Sequence, residues 1–224
     1  MSISTRNCQW TGARSAEFAA AEDIHIWKIP LFELQTGDLD ILADEELKRS
    51  QDFKHETARK VYICSRVAMR NIFSSYLNQP ACELKFKTTP QGKPFLADHT
   101  TRLKFNLSHS HELILLAVSP SLELGVDLEQ HKSIPNWEMI ANKVFDSKTI
   151  DDLKKEENPE TAFLRAWTVF EARQKSLGEG IFGKRTSLTR STASVMIDID
   201  GFEASLCYFP AREQTVISCF TFTG

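Results

Sequence analysis

Four short segments of the chain carry side chains suited to chemistry on a charged substrate. The first is Gly125-Val126-Asp127-Leu128-Glu129. In a strand, residues two apart share a face, so Asp127 and Glu129 would point together while Val126 and Leu128 turn toward a core. Adjacent carboxylates repel, and a sheet accommodates them when a cation or a hydrogen-bond network stands between them. A hard cation such as Mg²⁺ fits, because it takes oxygen ligands, commonly one or two carboxylates plus substrate phosphates. The plainer alternative is a solvated acidic strand end, since surface acids are common.

The second segment runs from Trp167 to Gly180. On a helix Trp167, Glu171 and Lys175 fall at i, i+4 and i+8, one stripe climbing ~6 Å per step. An indole, a carboxylate and an ammonium in a row would wall a charged site, although a surface Glu–Lys pair beside a core tryptophan has the same spacing. Gly178 and Gly180 suit a helix stop. The third segment is Phe105 to Ser110, a strand end where Ser108 and His109 offer a hydroxyl, an imidazole and backbone N–H groups to phosphate oxygens. Nucleophilic catalysis by Ser108 with His109 as base fits less well: neighbouring strand residues face opposite ways, and no G-x-S-x-G elbow surrounds the serine. The fourth is Gln91-Gly92-Lys93-Pro94, a rigid turn that presents Lys93.

These segments need elements to hold them. Ile24 to Ile29 alternates like a strand and Pro30 closes it. Asp44 to about Leu77 reads as helix in two pieces, with Asp44 as N-cap and Pro80 beyond the stop; Val61, Cys64, Ala68, Ile72 and Tyr76 recur on one face. Leu103–Ser108 and Leu113–Ser119 form a hairpin, and Leu122–Glu129 is a further strand. Helices follow at about 136–145, 147–157 and 160–178, then strands at Ser194–Asp200, Glu203–Phe209 and Thr215–Phe222 with Asp200-Gly201 as a hairpin turn. The short links exclude parallel crossovers, so the class is α+β with antiparallel strands. Pro120 separates an N-terminal half, 1–119, from a C-terminal half, 120–224, that carries the acids. The first twenty residues, polar and weakly patterned, read as a poorly ordered lead-in.

Composition narrows the classes. With 224 residues, 27 Lys+Arg against 30 Asp+Glu, 42% hydrophobic and 25% charged residues, the chain can bury a real core and is too apolar for disorder. Its formal charge of −3 disfavours a nucleic-acid footprint. No apolar run long enough for a membrane span and no signal-peptide core occur, which makes the cytoplasm the expected compartment. Cys8, Cys64, Cys82, Cys207 and Cys219 are scattered and odd in number, so free buried thiols are expected rather than disulfides or a zinc site.

No one of the four segments decides a function; their order and spacing do. The chain resembles the 4′-phosphopantetheinyl transferases of the surfactin-synthetase-activating type from about Glu46 to about Gly180. Members carry, in order, a G-K-P turn, F-N-[IVL]-S-H-S, G-[IV]-D-[IL]-E and W-[ST]-x-K-E-[AS]-x-x-K-x-x-G-x-G. Here these are Gly92-Lys93-Pro94, Phe105 to Ser110, Gly125 to Glu129 and Trp167 to Gly180. The resemblance implies an α+β pseudo-dimer in one chain, monomeric, with its site in the cleft between the halves. It implies transfer of the 4′-phosphopantetheine arm of coenzyme A to a serine of an acyl or peptidyl carrier protein, as a Mg²⁺-dependent (Mn²⁺ as an alternative) holo-[acyl-carrier-protein] synthase that releases adenosine 3′,5′-bisphosphate. By motif, Asp127, Glu129 and Glu171 would hold the metal and Glu171 would take the serine proton. Lys175 would stabilise developing charge, Ser108 and His109 would contact the adenosine-end phosphates, and Lys93 would lie near the 3′-phosphate. Arg49 matches a basic position for the coenzyme A phosphates.

One departure stands out: the lysine that precedes the helix glutamate in the family is Phe170 here. If that lysine binds phosphate, Arg165 or Arg173 would have to compensate, and Phe170→Lys would tighten coenzyme A binding. The competing reading is a non-catalytic carrier-protein or coenzyme A binding module on the same fold, which the retained acid trio opposes. A metal-dependent phosphodiesterase or nuclease on the same carboxylates would want a basic groove, against the net charge.

Overall fold

A computed structural model of the chain describes residues 4–90, 92–98, 101–178, 191–211 and 214–224. Two three-residue strands, β1 (Ser4–Arg6) and β2 (Thr11–Ala13), precede β3 (Ile24–Pro30). Helices α1 (Asp44–Gln51) and α2 (Glu56–Leu77) follow, then a 3₁₀ turn at Ala81–Glu83 and the small hairpin β4 (Phe86–Thr88) and β5 (Pro94–Leu96). Strands β6 (Lys104–Ser110), β7 (Leu113–Ser119) and β8 (Glu123–Gln130) come next. Three helices, α3 (Trp137–Val144), α4 (Ser147–Leu153) and α5 (Pro159–Leu177), lead to β9 (Ala193–Ile199), β10 (Phe202–Phe209) and β11 (Ile217–Phe222).

The helix ends follow local chemistry. Position Ala43, rather than Asp44, caps α1; its backbone N–H donates to the Glu46 carboxylate at 3.1 Å, while Asp44 lies in the acidic first turn. The break between α1 and α2 is bridged by Arg70, buried on α2, whose Nε donates to Glu46 at 2.7 Å. Helix α5 opens on Asn158, whose side chain accepts from Thr161 N at 3.1 Å, with Pro159 in its first turn, where no N–H is needed. It stops at Gly178, whose φ of +70° is the left-handed conformation that glycine adopts without a Cβ clash.

The strands form two main sheets, ordered β1-β9-β10-β8 and β2-β11-β3-β7-β6. One apolar cluster fills the space between them: Leu124, Val126 and Leu128 from β8, with Ile197, Ala204 and Leu206, face Ile24, Ile26, Leu115 and Ala117. On the outer side of the five-stranded sheet, Trp27, Ile114, Leu116 and Val118 pack on Cys64, Ala68, Ile72 and Phe73 of α2. Helix α5 covers the outer face of the other sheet, against β8 and β10. The layers therefore run helix, sheet, sheet, helix, an α+β arrangement of two sheet-plus-helix units.

The ladders β6/β7 and β9/β10 are antiparallel, as their short links require, and β3/β7 and β8/β10, joined across long stretches of chain, are antiparallel too. The chain ends add parallel pairs, β1/β9, β2/β11 and β3/β11, which no short link dictates. Residues 4–6 and 11–13 thus form strands where sequence patterning predicts a poorly ordered lead-in: each is too short for an alternation signal, and its partner lies near the other end of the chain. The same return of the C-terminus brings Cys8 and Cys219 together as a disulfide, Cα to Cα 5.9 Å across 211 residues of sequence, against the expectation of free thiols. Cys64 and Cys207 are buried free thiols and Cys82 is exposed. No described helix is long and apolar enough to cross a membrane.

Candidate active site at the seam of the two sheets

Strand β8 alternates as its sequence requires. Leu124, Val126 and Leu128 enter the inter-sheet core, which turns Gly125, Asp127 and Glu129 toward α5. Gly125 is the contact point. A Cβ built there would overlap the carbonyl oxygen of Ala172 and the amide nitrogen of Ser176, and would stand 3.0 Å from the Ala172 carbonyl carbon. Main chain thus presses on main chain, and the next turn of α5 delivers Glu171 and Lys175 beside Asp127.

The Lys175 ammonium donates to Asp127 Oδ1 at 2.7 Å and to Ser108 Oγ at 3.1 Å; Ser108 Oγ in turn donates to the same carboxylate oxygen at 3.0 Å. Glu171 Oε2 lies 4.0 Å from the same ammonium. Glu129 accepts from Ser110 Oγ at 3.4 Å and from Lys132 at 3.3 Å. Burial raises the pKa of Asp127, with Lys175 opposing, and burial together with the Asp127 charge raises that of Glu171. Asp127 Oδ2 is buried with no hydrogen-bond partner among the described residues. Among those residues no group of three acidic, imidazole or thiol side chains converges as a ready metal cluster. The orphaned Oδ2, with the Glu129 and Glu171 carboxylates acting on the same group, is an acceptor that a hard cation would satisfy while Lys175 and Ser108 hold Oδ1.

Strand β6 closes the other wall. It is an edge strand of the five-stranded sheet, and its side chains stand in for a ladder with β8: Val126 N donates to Asn106 Oδ1 at 2.8 Å and Gln130 N to Ser110 Oγ at 3.0 Å. Asn106, Ser108 and Ser110 face the seam and His109 alternates away, so the two motif residues are split between faces, as adjacent strand positions must be. Desolvation and, secondarily, the Lys175 charge hold His109 below the usual imidazole pKa, with Glu129 opposing. Asn106 and Ser110 carried no chemical signal of their own in the sequence; only the meeting of two sheet edges reveals their role.

Lys93 reaches the seam, but not as a free cation. Its ammonium donates to the carbonyl oxygens of Leu124, at 3.0 Å, and Lys175, at 2.9 Å, where the resemblance predicts a phosphate. Arg49 sits on the exposed face of α1, paired with Asp52 at 3.2 Å and lying over the Phe53 ring; it has no contact with the Asp127 network among the described residues. A cleft of about 470 Å³ opens beside Lys93, lined by Arg102, Lys104 and the rings of Phe95, Phe105 and Phe209.

Phe170, which stands where the resemblance expects a lysine, is packed among aromatic rings. Its ring packs with Trp167 (6.1 Å between centroids) and Phe145 (5.9 Å), at the edge of the cluster built by Trp137, Ile150 and Phe163. Arg165, a possible substitute for the missing lysine, is committed instead to Glu203, which accepts from Nε and Nη2 at 3.2 Å and also meets His131 Nε2 at 3.2 Å. Glu203 stands directly across from Glu129 in the β8/β10 register, a fourth acid beside the seam that sequence spacing did not single out. Gln91 and Gly180, at the ends of two motifs, lie outside the described residues.

The profile described as 4′-phosphopantetheinyl transferase, N-terminal, matches residues 29–121, and that of the 4′-phosphopantetheinyl transferase superfamily matches residues 123–212. Among individual relatives, the 4′-phosphopantetheinyl transferase HetI of Nostoc sp. is 32% identical over 168 residues, 72% of this chain and 71% of that protein. A phosphopantetheinyl transferase of Thraustochytrium sp. is 32% identical over 71% of this chain and 62% of its own length. The human L-aminoadipate-semialdehyde dehydrogenase-phosphopantetheinyl transferase is 28% identical over 70% of this chain, which spans 55% of that larger protein.

Proposed function

The chain belongs to the 4′-phosphopantetheinyl transferase superfamily, enzymes that move the phosphopantetheine arm of coenzyme A onto carrier proteins, and we propose that it performs this transfer at the seam of β6, β8 and α5. The observation that carries the assignment is the Asp127–Lys175–Ser108 network with Glu171 one helical turn away, built from three of the four motifs. Asp127, Glu129 and Glu171 would hold a divalent cation, Mg²⁺ by the hardness of its oxygen ligands, which when bound neutralises charge on the coenzyme A pyrophosphate.

The chain's own residues supply the rest. The carrier serine oxygen attacks the β-phosphorus, an O–P bond forms, and the bond to the adenosine 3′,5′-bisphosphate oxygen breaks. Glu171 would accept the serine proton, directly or through water, and its raised pKa would make it a better base than an exposed carboxylate. Lys175 stabilises the charge that develops on the transferring phosphoryl group, with its Asp127 bond fixing its direction. Ser108 would meet a phosphate of the adenosine end from the seam face of β6; His109, on the other face of the strand yet within reach of the Lys175 and Glu129 charges, would meet one from the exposed rim, and the cleft of about 470 Å³, with its cations and aromatic faces, would receive the nucleoside. Arg49 can exchange its exposed Asp52 partner for a coenzyme A phosphate at little expense, because such surface pairs contribute ~0–1 kcal/mol.

In this reading the halves 1–119 and 120–224 act as one monomeric, cytoplasmic enzyme, with both walls of the cleft in one chain. The test is intact mass of an apo carrier protein incubated with this chain, coenzyme A and Mg²⁺, with and without chelator. A chelator-sensitive gain of one phosphopantetheine supports the reading. No gain on acyl and peptidyl carriers, with coenzyme A still bound, rejects it in favour of a binding module.

A further inference from the structure

We propose that Lys93 acts on the transfer step by fixing the main chain of Lys175, as a positioning residue rather than a ligand of the coenzyme A phosphates. The inference rests on the transferase reading of the seam. Lys93 Nζ has three donors. Two of them engage the carbonyl oxygens of Lys175, at 2.9 Å, and Leu124, at 3.0 Å, and the Glu123 carboxylate lies 4.0 Å from the same nitrogen. The Lys175 carbonyl belongs to the last turn of α5, where the helix dipole is negative; it accepts a long bond from the Gly178 cap N–H at 3.3 Å, and the Lys93 ammonium engages the same oxygen more closely and complements the dipole.

The connection is short. One residue, Lys175, offers its carbonyl to Lys93 and its side chain to Asp127 and Ser108. Leu124, the second carbonyl, directly precedes Gly125, the point where β8 touches α5. Lys93 therefore ties both halves of that contact to the β4–β5 turn. The turn is itself braced: Thr89 N donates to Lys93 O at 2.8 Å, Gly92 N to Thr89 O at 2.8 Å, and Lys93 N to Thr89 Oγ1 at 3.1 Å. A lysine waiting for phosphate would stand in water at the mouth of the cleft; this one is largely covered, and burial lowers its pKa.

The two roles separate with coenzyme A and 3′-dephospho-coenzyme A as alternative donors to an apo acyl carrier protein. Lys93→Met is expected to lower kcat ~10–100-fold for both donors alike, the scale of a misplaced reacting group, with each KM within about twofold of wild type. The preference between the donors stays as in the wild type. Lys93→Arg, which keeps the charge and the donors, is expected to restore kcat to within about threefold. A raised KM for coenzyme A alone, with the preference between donors erased, overturns the proposal in favour of phosphate ligation. A lowered Tm with kcat per folded molecule unchanged overturns it in favour of a merely structural contact. Wild-type protein that transfers from neither donor rejects the transferase reading, and this inference falls with it.

Discussion

Replacing Gly125 with alanine is expected to disable transfer while the chain still folds. The added Cβ would overlap two main-chain atoms of α5, the Ala172 carbonyl oxygen and the Ser176 amide nitrogen, and would stand 3.0 Å from the Ala172 carbonyl carbon. Ordinary carbon contacts lie at ~3.5–4.0 Å, and backbone cannot rotate away as a side-chain tip can. The helix must withdraw from β8 by about 1.5 Å before the Ala172 oxygen reaches an ordinary contact distance. Glu171 and Lys175 each directly precede one of the two contact residues, Ala172 and Ser176, so both move from Asp127 together. A misplacement of ~1 Å at a reacting group costs about 10²-fold in rate. Overpacking of this kind destabilises by ~1–3 kcal/mol, and in a chain of this length each kcal/mol lowers Tm by about 2–4 °C. The assay is kcat for transfer beside thermal unfolding of the same sample. Gly12→Ala is the control, since a Cβ there meets only the Thr223 Cγ2 methyl, at 3.3 Å. Gly125→Ala with wild-type kcat and Tm would refute the main-chain contact as the element that sets the seam.

Three further outcomes follow from the same geometry. Lys175→Met removes the charged donor of buried Asp127 and is expected to cost ~1–3 kcal/mol in urea unfolding, besides abolishing transfer; equal stability would contradict the network. Phe170→Lys is expected to leave the KM for coenzyme A unchanged and to lower stability by ~0.5–1.5 kcal/mol for each aromatic pair it breaks, because Phe170 packs on Trp167 and Phe145; tighter coenzyme A binding would restore the phosphate role expected from sequence. His25, buried between Phe18 and Tyr76, has its pKa lowered to about 4 by burial. The unfolded chain then binds the extra proton first, so stability present above pH ~6.5 is lost as pH falls toward 4, by about 3 kcal/mol in all. His25→Gln should flatten that part of the stability profile relative to wild type, and an unchanged slope would contradict the assignment.

The parts of this site that could be read from sequence were those set by local periodicity. Period two put Asp127 and Glu129 on one face of β8, and period 3.6 put Trp167, Glu171 and Lys175 on one stripe of α5, both as found. The hairpin of β6 and β7 and the turn at Asp200-Gly201 were equally local. What escaped depends on partners distant in the chain. The pairing of β1 with β9 and of β2 with β11, and with it the Cys8–Cys219 bond, leaves no mark in three-residue strands. Asn106 and Ser110 look like ordinary polar strand residues until two sheet edges meet. Lys93 looked like a presented cation because a turn is visible in sequence and the carbonyls it docks on, 31 and 82 residues away, are not. Glu203 and Arg165 found each other 38 residues apart for the same reason.

The central claim is that the acid and ammonium at the β6–β8–α5 seam carry out the transfer, and Glu171→Gln tests it most directly. The substitution keeps the shape of the side chain and removes its charge and its capacity to take a proton. Incubated with coenzyme A, Mg²⁺ and an apo carrier protein, the variant is predicted to bind coenzyme A yet leave the intact mass of the carrier at its apo value while the wild type converts it. Conversion by Glu171→Gln at the wild-type rate would contradict the claim and move the proton acceptor away from α5.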